Sequence, residues 1–177
     1  MRLAAPAKVS PAKTEQIILF RVSGQLFAIS SASVQEVRSA DSMSGAASDI
    51  NAPGIRKVRH VVRRGDRSLF IVNGAMHFGL HPSAGPLLFV LRKTRTALLI
   101  DGIEKMTTMT RLQALPLSFC HEERTWYRGL TALDQTVVPV VRPEGFLSLE
   151  ELTLLDAVLP PVETSSGEEL EGASPAQ

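Results

Sequence analysis

The chain has 177 residues, 44% of them hydrophobic, 21% charged and 5% aromatic. That apolar share suits one packed domain or two small ones and argues against global disorder. Its uncharged apolar runs, Pro86 to Leu91 among them, fall far short of the roughly 20 residues a membrane-spanning helix needs.

A lone cysteine, Cys120, excludes an internal disulfide and a cysteine-built zinc or iron site. Met1 to Glu15 is basic and lacks an apolar core, so it does not read as a signal peptide. The expectation is a soluble protein of a reducing cytoplasm. Net charge is +1, but it is unevenly spread: Pro143 to Gln177 holds eight acids and no Lys or Arg, leaving all 19 basic residues in the first 142. An acidic end beside a basic body either screens that body from polyanions or keeps the chain soluble.

In chain order, residues 1–15 read as a disordered arm rich in Ala, Lys and Pro. Gln16 to Ser23 and Gln25 to Ser30 are apolar runs split by Ser23-Gly24, a hairpin signal. Ser33 to Arg38 reads as a helical turn or a short strand, with Val34 and Val37 at helical spacing. Ala40 to Ala52 reads as a loop closed by Pro53-Gly54. Val58 to Val62 and Ser68 to Val72 flank a turn at Arg64 to Arg67, and His81 to Gly85 is a break. Leu87 to Leu91 and Thr96 to Ile100 flank the polar tip Arg92-Lys93-Thr94-Arg95. Ile103 to Met109 is a further strand, and Tyr127 to Leu133 and Thr136 to Val141 flank Asp134-Gln135. Nine or ten short strands with no crossover helix between them predict an all-β sandwich or barrels. Ser148 with Glu151 forms a capping box, and Leu149, Leu152, Leu155 and Leu159 make one apolar stripe that ends at Pro160-Pro161, predicting a docked helix over 148–159. Residues 160–177 read as a disordered acidic tail.

Catalytic chemistry is missing. Neither phosphate-binding glycine motif is present. His77 and His81 are four apart, but Gly79 and Pro82 oppose a helix there, so a polar turn is expected rather than a metal pair. Cys120-His121 are adjacent, whereas catalytic dyads are assembled from distant segments, so a half-buried loop cysteine is expected. Asp101, Glu104, Glu122 and Glu123 fall at hairpin ends. The sequence predicts no catalytic residue, no cofactor and no metal; the protein works by binding. Arg56, Lys57, Arg59, His60, Arg63, Arg64 and Arg67 concentrate cations opposed only by Asp66. This suits phosphates or, equally, an acidic protein surface. Stacking aromatics are absent from the segment, which weakens a single-strand reading.

Four stretches in this order resemble the CheW-like chemotaxis coupling proteins over about residues 16–159: Ile18 to Arg38, Val61 to Leu80, Leu87 to Met106 and Tyr127 to Asp156. The third ends in the corner Ile100-Asp101-Gly102-Ile103. The resemblance implies two packed five-stranded SH3-like β-barrels with a C-terminal α-helix on the first. The first barrel would span about 16–80 plus the helix, the second about 81–146. It also implies no enzymatic activity and an adaptor role. Such an adaptor bridges the cytoplasmic tip of chemoreceptors (methyl-accepting chemotaxis proteins), received in a groove between the barrels, to the regulatory domain of a CheA-like histidine kinase. It places the protein in the cytoplasm, recruited to receptor arrays at the inner membrane, with no membrane insertion of its own and no nucleic acid as partner. Carried over by position, Val34, Glu36 and Arg38 would lie by the partner surface and Arg64-Gly65 would be the family's Arg-Gly pair; Arg59 joins them as a partner-binding candidate. Core packing for Val34, and a solvated turn for Glu36 and Arg38, are the competing expectations. The chain departs from the family at Arg59-His60, where Gly-Val is usual, and at Phe70 to Ala75, where Pro-x-x-Asp-Leu-Arg is usual, which marks a divergent member. The alternative function is a small-barrel nucleic-acid-binding protein using Arg56 to Arg67.

Overall fold

Strand β1 (Glu15–Val22) is apolar on both faces, and both faces are covered. The computed structural model describes residues 13–83 and 85–161. The expected disorder of 1–15 and 160–177 therefore falls almost wholly outside the described residues. After β1 come β2 (Gln25–Ser30), β3 (Val34–Ser39), helix α1 (Ala40–Ser44), β4 (Ala47–Asp49), β5 (Val58–Arg64), β6 (Arg67–Asn73) and α2 (Gly74–His77). Then follow β7 (Leu87–Leu91), β8 (Thr96–Ile100), β9 (Gly102–Met109), α3 (Glu123–Trp126), β10 (Tyr127–Leu133), β11 (Thr136–Val141) and α4 (Leu149–Ala157). Ser33 to Arg38 thus resolves as a strand, and the bulge between Val34 and Glu36 puts Val34 and Val37, opposite Leu91 and Phe89, on one face, although Val34 is 8% exposed and Val37 43%. The expected loop over Ala40 to Ala52 contains a one-turn helix and a three-residue edge strand, elements too short for a periodic signal.

The strands form two mixed sheets, ordered β10-β11-β2-β1-β9 and β3-β7-β8-β6-β5-β4. Each has one parallel pairing, β11 with β2 and β6 with β8. The first sheet closes on itself: beyond β9, Gln113 and Leu130 of β10 exchange backbone hydrogen bonds of 2.8 and 2.9 Å. The second is rolled as well. Glu36 on β3 and Arg64 on β5 meet at 2.6 Å, although four inter-strand steps would separate them by roughly 19 Å in a flat sheet.

Two rolled sheets packed together need three apolar layers, and period-two alternation supplies them. Ile17 and Leu19 of β1 fill the five-stranded sheet with Ala28, Val138 and Val140. Leu69 and Ile71 of β6, Leu88 and Val90 of β7 and Ala97 of β8 fill the six-stranded one. The intervening residues, Ile18, Phe20, Val22, Phe70, Val72, Phe89, Leu91, Leu98 and Ile100, all enter the layer between the sheets. This is why the strands read as continuous apolar runs rather than as half-buried alternation.

The boundary between the two sheets differs from the sequence expectation. The break at about residue 80 does not divide them: 34–100 makes the six-stranded sheet, and both flanks of the chain make the five-stranded one. The reason is covalent economy of pairing. Tight turns join β1 to β2 and β10 to β11, while β2 and β11 meet through the single parallel register of Ala28 with Val140, which no local signal announces.

Helix α4 begins as expected. Ser148 Oγ accepts from the Glu151 amide at 3.1 Å, and Glu151 Oε2 accepts from the Ser148 amide at 2.9 Å. Leu155 is fully buried in the layer between the sheets, with Leu152 and Leu159 packed on it. Leu149 is 82% exposed, so the docked stripe starts one turn later than the spacing suggests. No helix among the described residues is long and apolar enough to cross a membrane.

Candidate partner-binding site

The β5–β6 turn sets the site. Gly65 sits at φ +57 with open space around its Cα, a left-handed conformation that glycine adopts without penalty. The two-residue turn pairs Arg64 with Arg67 across the ladder. Arg64 Nη1 then reaches Glu36 Oε1 at 2.6 Å, and Arg38 Nε reaches Glu36 Oε2 at 3.0 Å. The Arg64 hydrogen bond first, and the Arg38 one second, hold the Glu36 carboxyl below its ordinary value. All three side chains remain 30–42% exposed, whereas Val37, paired opposite Phe89, projects from the other face of β3. An exposed ionic triad presents charge that another molecule can reach.

Of the sequence-predicted residues, the structure brings together Glu36, Arg38, Arg64 and Gly65. Val34 is placed in the layer between the sheets, where it supports β3 from beneath. Arg59 is exposed at the other end of β5, roughly 17 Å away along the strand. There it lines a concavity of about 610 Å³ formed by the Asp49 to His60 segment.

A neighbouring element was read in the sequence as a hairpin tip but not as a neighbour of these residues. The β7–β8 tip lies beside the triad, with the Arg95 guanidinium held by Asp156 of α4 at 2.8 and 2.5 Å and stacked 5.0 Å from the Phe70 ring. That pairing holds Asp156 below its usual carboxylate range, the Arg95 hydrogen bond being the main cause. Arg92 Nε donates to the Val34 carbonyl at 3.2 Å. A cleft of about 150 Å³ separates the tip from the triad, with Gln35, Arg64, Arg67, Leu69 and Val90 in its walls. The signal was the run Arg92-Lys93-Thr94-Arg95, whose place in space depends on the β6–β8 pairing.

Several members of the basic segment have intramolecular work instead. Lys57 meets Glu151 at 3.0 Å, His60 meets Asp49 at 2.8 Å, and Arg63 Nη2 donates to the Pro160 carbonyl at 2.5 Å. A continuous phosphate-binding stripe is therefore not formed by Arg56 to Arg67.

His77 is buried rather than part of a polar turn. It lies in α2, which Asn73 caps through its side chain, and packs against Phe78, Trp126 and Phe146 with ring centres 4.1–5.0 Å apart. Burial first, and the Lys57 cation second, push its pKa down to about 3. Among the described residues, no three His, Cys, Asp or Glu side chains stand together as a metal set. Cys120 is exposed, not half-buried. Its amide donates to Glu123 at 2.8 Å and its Sγ accepts from the Glu123 amide at 3.5 Å, so it serves a turn. Asp101 likewise ties a corner together, accepting from the Ser23 amide at 2.6 Å and from the Ser83 hydroxyl.

The sequence matches the family model described as CheW-like domain over residues 16–151. Among solved structures, the chain is similar to the crystal structure of the scaffolding protein TtCheW from Thermoanaerobacter tengcongensis. Identity is 10% and the TM-score 0.63, with 78% of this chain and 96% of that one covered. No curated protein sequence matches it. The match at this identity carries the fold, and the family model carries the kinship: the chain belongs to the CheW-like domain family, the non-catalytic scaffolds of chemotaxis signalling.

Proposed function

We propose that the protein couples chemoreceptors to a CheA-like histidine kinase, and that Glu36, Arg38, Arg64 and Gly65 form part of the surface that contacts one of these partners. The observation that carries the residue assignment is the half-exposed Arg64–Glu36 pair at the rolled end of the six-stranded sheet. An exposed pair of this kind contributes about 0–1 kcal/mol to stability, so exchanging Glu36 for a partner carboxylate costs the fold little. The Arg64 fork then suits a carboxylate in two-point contact. Gly65 keeps the turn tight. Val34 acts only through β3, and Arg59 belongs to a separate contact at the far end of β5. The protein would act in the cytoplasm at receptor arrays on the inner membrane.

Coupling then works as two simultaneous protein contacts on a rigid body. The layer between the sheets leaves little freedom for one sheet to move against the other, so a receptor displacement felt at one contact reaches the kinase at the other. Calorimetric titration with the regulatory domain of a histidine kinase from the same genome tests the reading. Saturable binding near micromolar, about −8 kcal/mol, weakened at least tenfold by Arg64→Glu, is the expected result. Binding that ignores Arg64→Glu removes the triad from the interface, and no binding by a well-folded sample removes the adaptor role.

A further inference from the structure

The end of the six-stranded sheet carries more positive charge than its ion pairs consume. The β5–β6 turn brings Arg63, Arg64 and Arg67 there, and the β7–β8 tip brings Arg92, Lys93 and Arg95. The Phe70–Thr96 pairing and the Phe70 amide bond to the Arg95 carbonyl, 2.8 Å, join the two turns. Facing them are three acids, Glu36, Asp66 and Asp156, of which Glu36 is shared with Arg38 and Asp156 is taken by Arg95. With Arg38 included, seven cations face three acids among the described residues, so four positive charges are left over at this end.

The chain itself supplies a matching anion. α4 runs to Ala157, and three residues later the Pro160 carbonyl accepts from Arg63 Nη2 at 2.5 Å. Pro160 therefore lies beside the basic end. The next residues read Val162-Glu163-Thr164-Ser165-Ser166-Gly167-Glu168-Glu169-Leu170-Glu171, with four acids and no base. Glu163 follows Pro160 by three residues, within roughly 10 Å of extended chain.

We propose that the acidic segment 162–171 occupies the basic end formed by the β5–β6 turn and the β7–β8 tip. Covalent attachment sets its effective concentration in the millimolar range, so contacts too weak to matter between separate molecules are populated within one chain. The contact is ionic and is therefore released by salt. On the reading that Arg64 binds a partner, which this consequence rests on, the segment competes with that partner, so an acidic ligand must displace it to bind.

Amide NMR spectra of the full chain and of a chain ending at Pro161 test the contact without any partner. Amides of Arg63 to Ser68 and Arg92 to Arg95 should differ between the two at low salt and converge at high salt. A synthetic peptide of residues 162–177 added to the shortened chain should reproduce the differences. The shortened chain should also bind polyglutamate about tenfold tighter than the full chain. Glu163→Lys, Glu168→Lys, Glu169→Lys and Glu171→Lys together should behave as the deletion does. Identical spectra would overturn the proposal, as would changes confined to Lys57 and Arg59 or changes retained by the charge-reversed chain. Differences that grow with protein concentration would assign the segment to a second molecule and overturn it as well. None of these readouts involves receptor or kinase, so their failure leaves the adaptor reading standing, and failure of kinase binding leaves them interpretable.

Discussion

The ionic triad at the end of the six-stranded sheet and the aromatic junction around His77 use polar side chains in opposite ways. Glu36, Arg38 and Arg64 keep about a third or more of their surface in water, where charge costs little to hold and can be re-partnered. His77 is 4% exposed among Phe78, Trp126 and Phe146, and neither its Nε2 nor Trp126 Nε1 has a partner among the described residues. Its imidazole is tolerated only as the neutral form. Exposed charges at the triad are thus exchangeable, as the proposed contact requires, whereas the His77 junction serves stability by suppressing ionisation.

The largest expected effect lies on the buried side. Leu155→Asp puts a carboxylate into the layer between the sheets and should destabilise the protein by about 4 kcal/mol or more, read by denaturant unfolding; a silent variant would mean α4 does not dock. Next comes the pH response of His77. Its folded-state pKa lies below the unfolded value of 6.5, so the unfolded chain takes up the proton first. Stability is full above pH about 6.5 and falls as pH drops, by about 2 kcal/mol at pH 5. The carboxylates held low by arginines, Glu15, Glu36 and Asp156, lose their contribution only further down, below their ordinary 3.8–4.5. His77→Phe should flatten the loss between pH 6.5 and pH 5, and an unchanged slope would assign it to another group.

On the exposed side the ordering reverses between stability and binding. Arg64→Glu should leave stability within about 1 kcal/mol while weakening partner binding at least tenfold, about 1.4 kcal/mol. A thermal midpoint that falls steeply instead would make the triad a structural clamp and erase the contrast. Gly65→Ala should cost about 1 kcal/mol, because its φ of +57 strains any Cβ although nothing blocks the space. The smallest effect is expected at Cys120→Ser, whose side chain is exposed: unfolding and partner binding should both stay unchanged, and a loss of binding would place residues 116–124 in the interface.

The hairpins at Ser23-Gly24, Arg64 to Arg67, Arg92 to Arg95 and Asp134-Gln135 were legible in the sequence because each is written in consecutive residues, as was the Ser148–Glu151 capping box. Four of the six candidate site residues do cluster. Glu36 and Arg38 are two apart on one strand, and Arg64-Gly65 is a turn. That Glu36 and Arg64 touch was not legible, since their approach comes from rolling of the sheet. Val34 was ambiguous because β3 is exposed along most of its length, and only its first residue reaches the layer between the sheets. His77 was misread because Gly79 and Pro82 signal a turn locally, while the aromatic residues that bury the ring lie some 50 to 70 positions downstream, Trp126 and Phe146.

By itself, the sequence determined the all-β texture, the positions of nearly all the longer strands, the C-terminal helix and the absence of a catalytic motif, all consequences of side-chain type and short-range spacing. Tertiary structure decided which strands share a sheet, because a parallel pairing such as Ala28 with Val140 is set by packing and not by any turn. It also decided which charges are free to meet a partner. Lys57 and Arg64 look alike in the chain, yet pairing with Glu151 leaves Lys57 17% exposed while pairing with Glu36 leaves Arg64 34% exposed, since an ion pair depends on where two side chains arrive rather than on where they start.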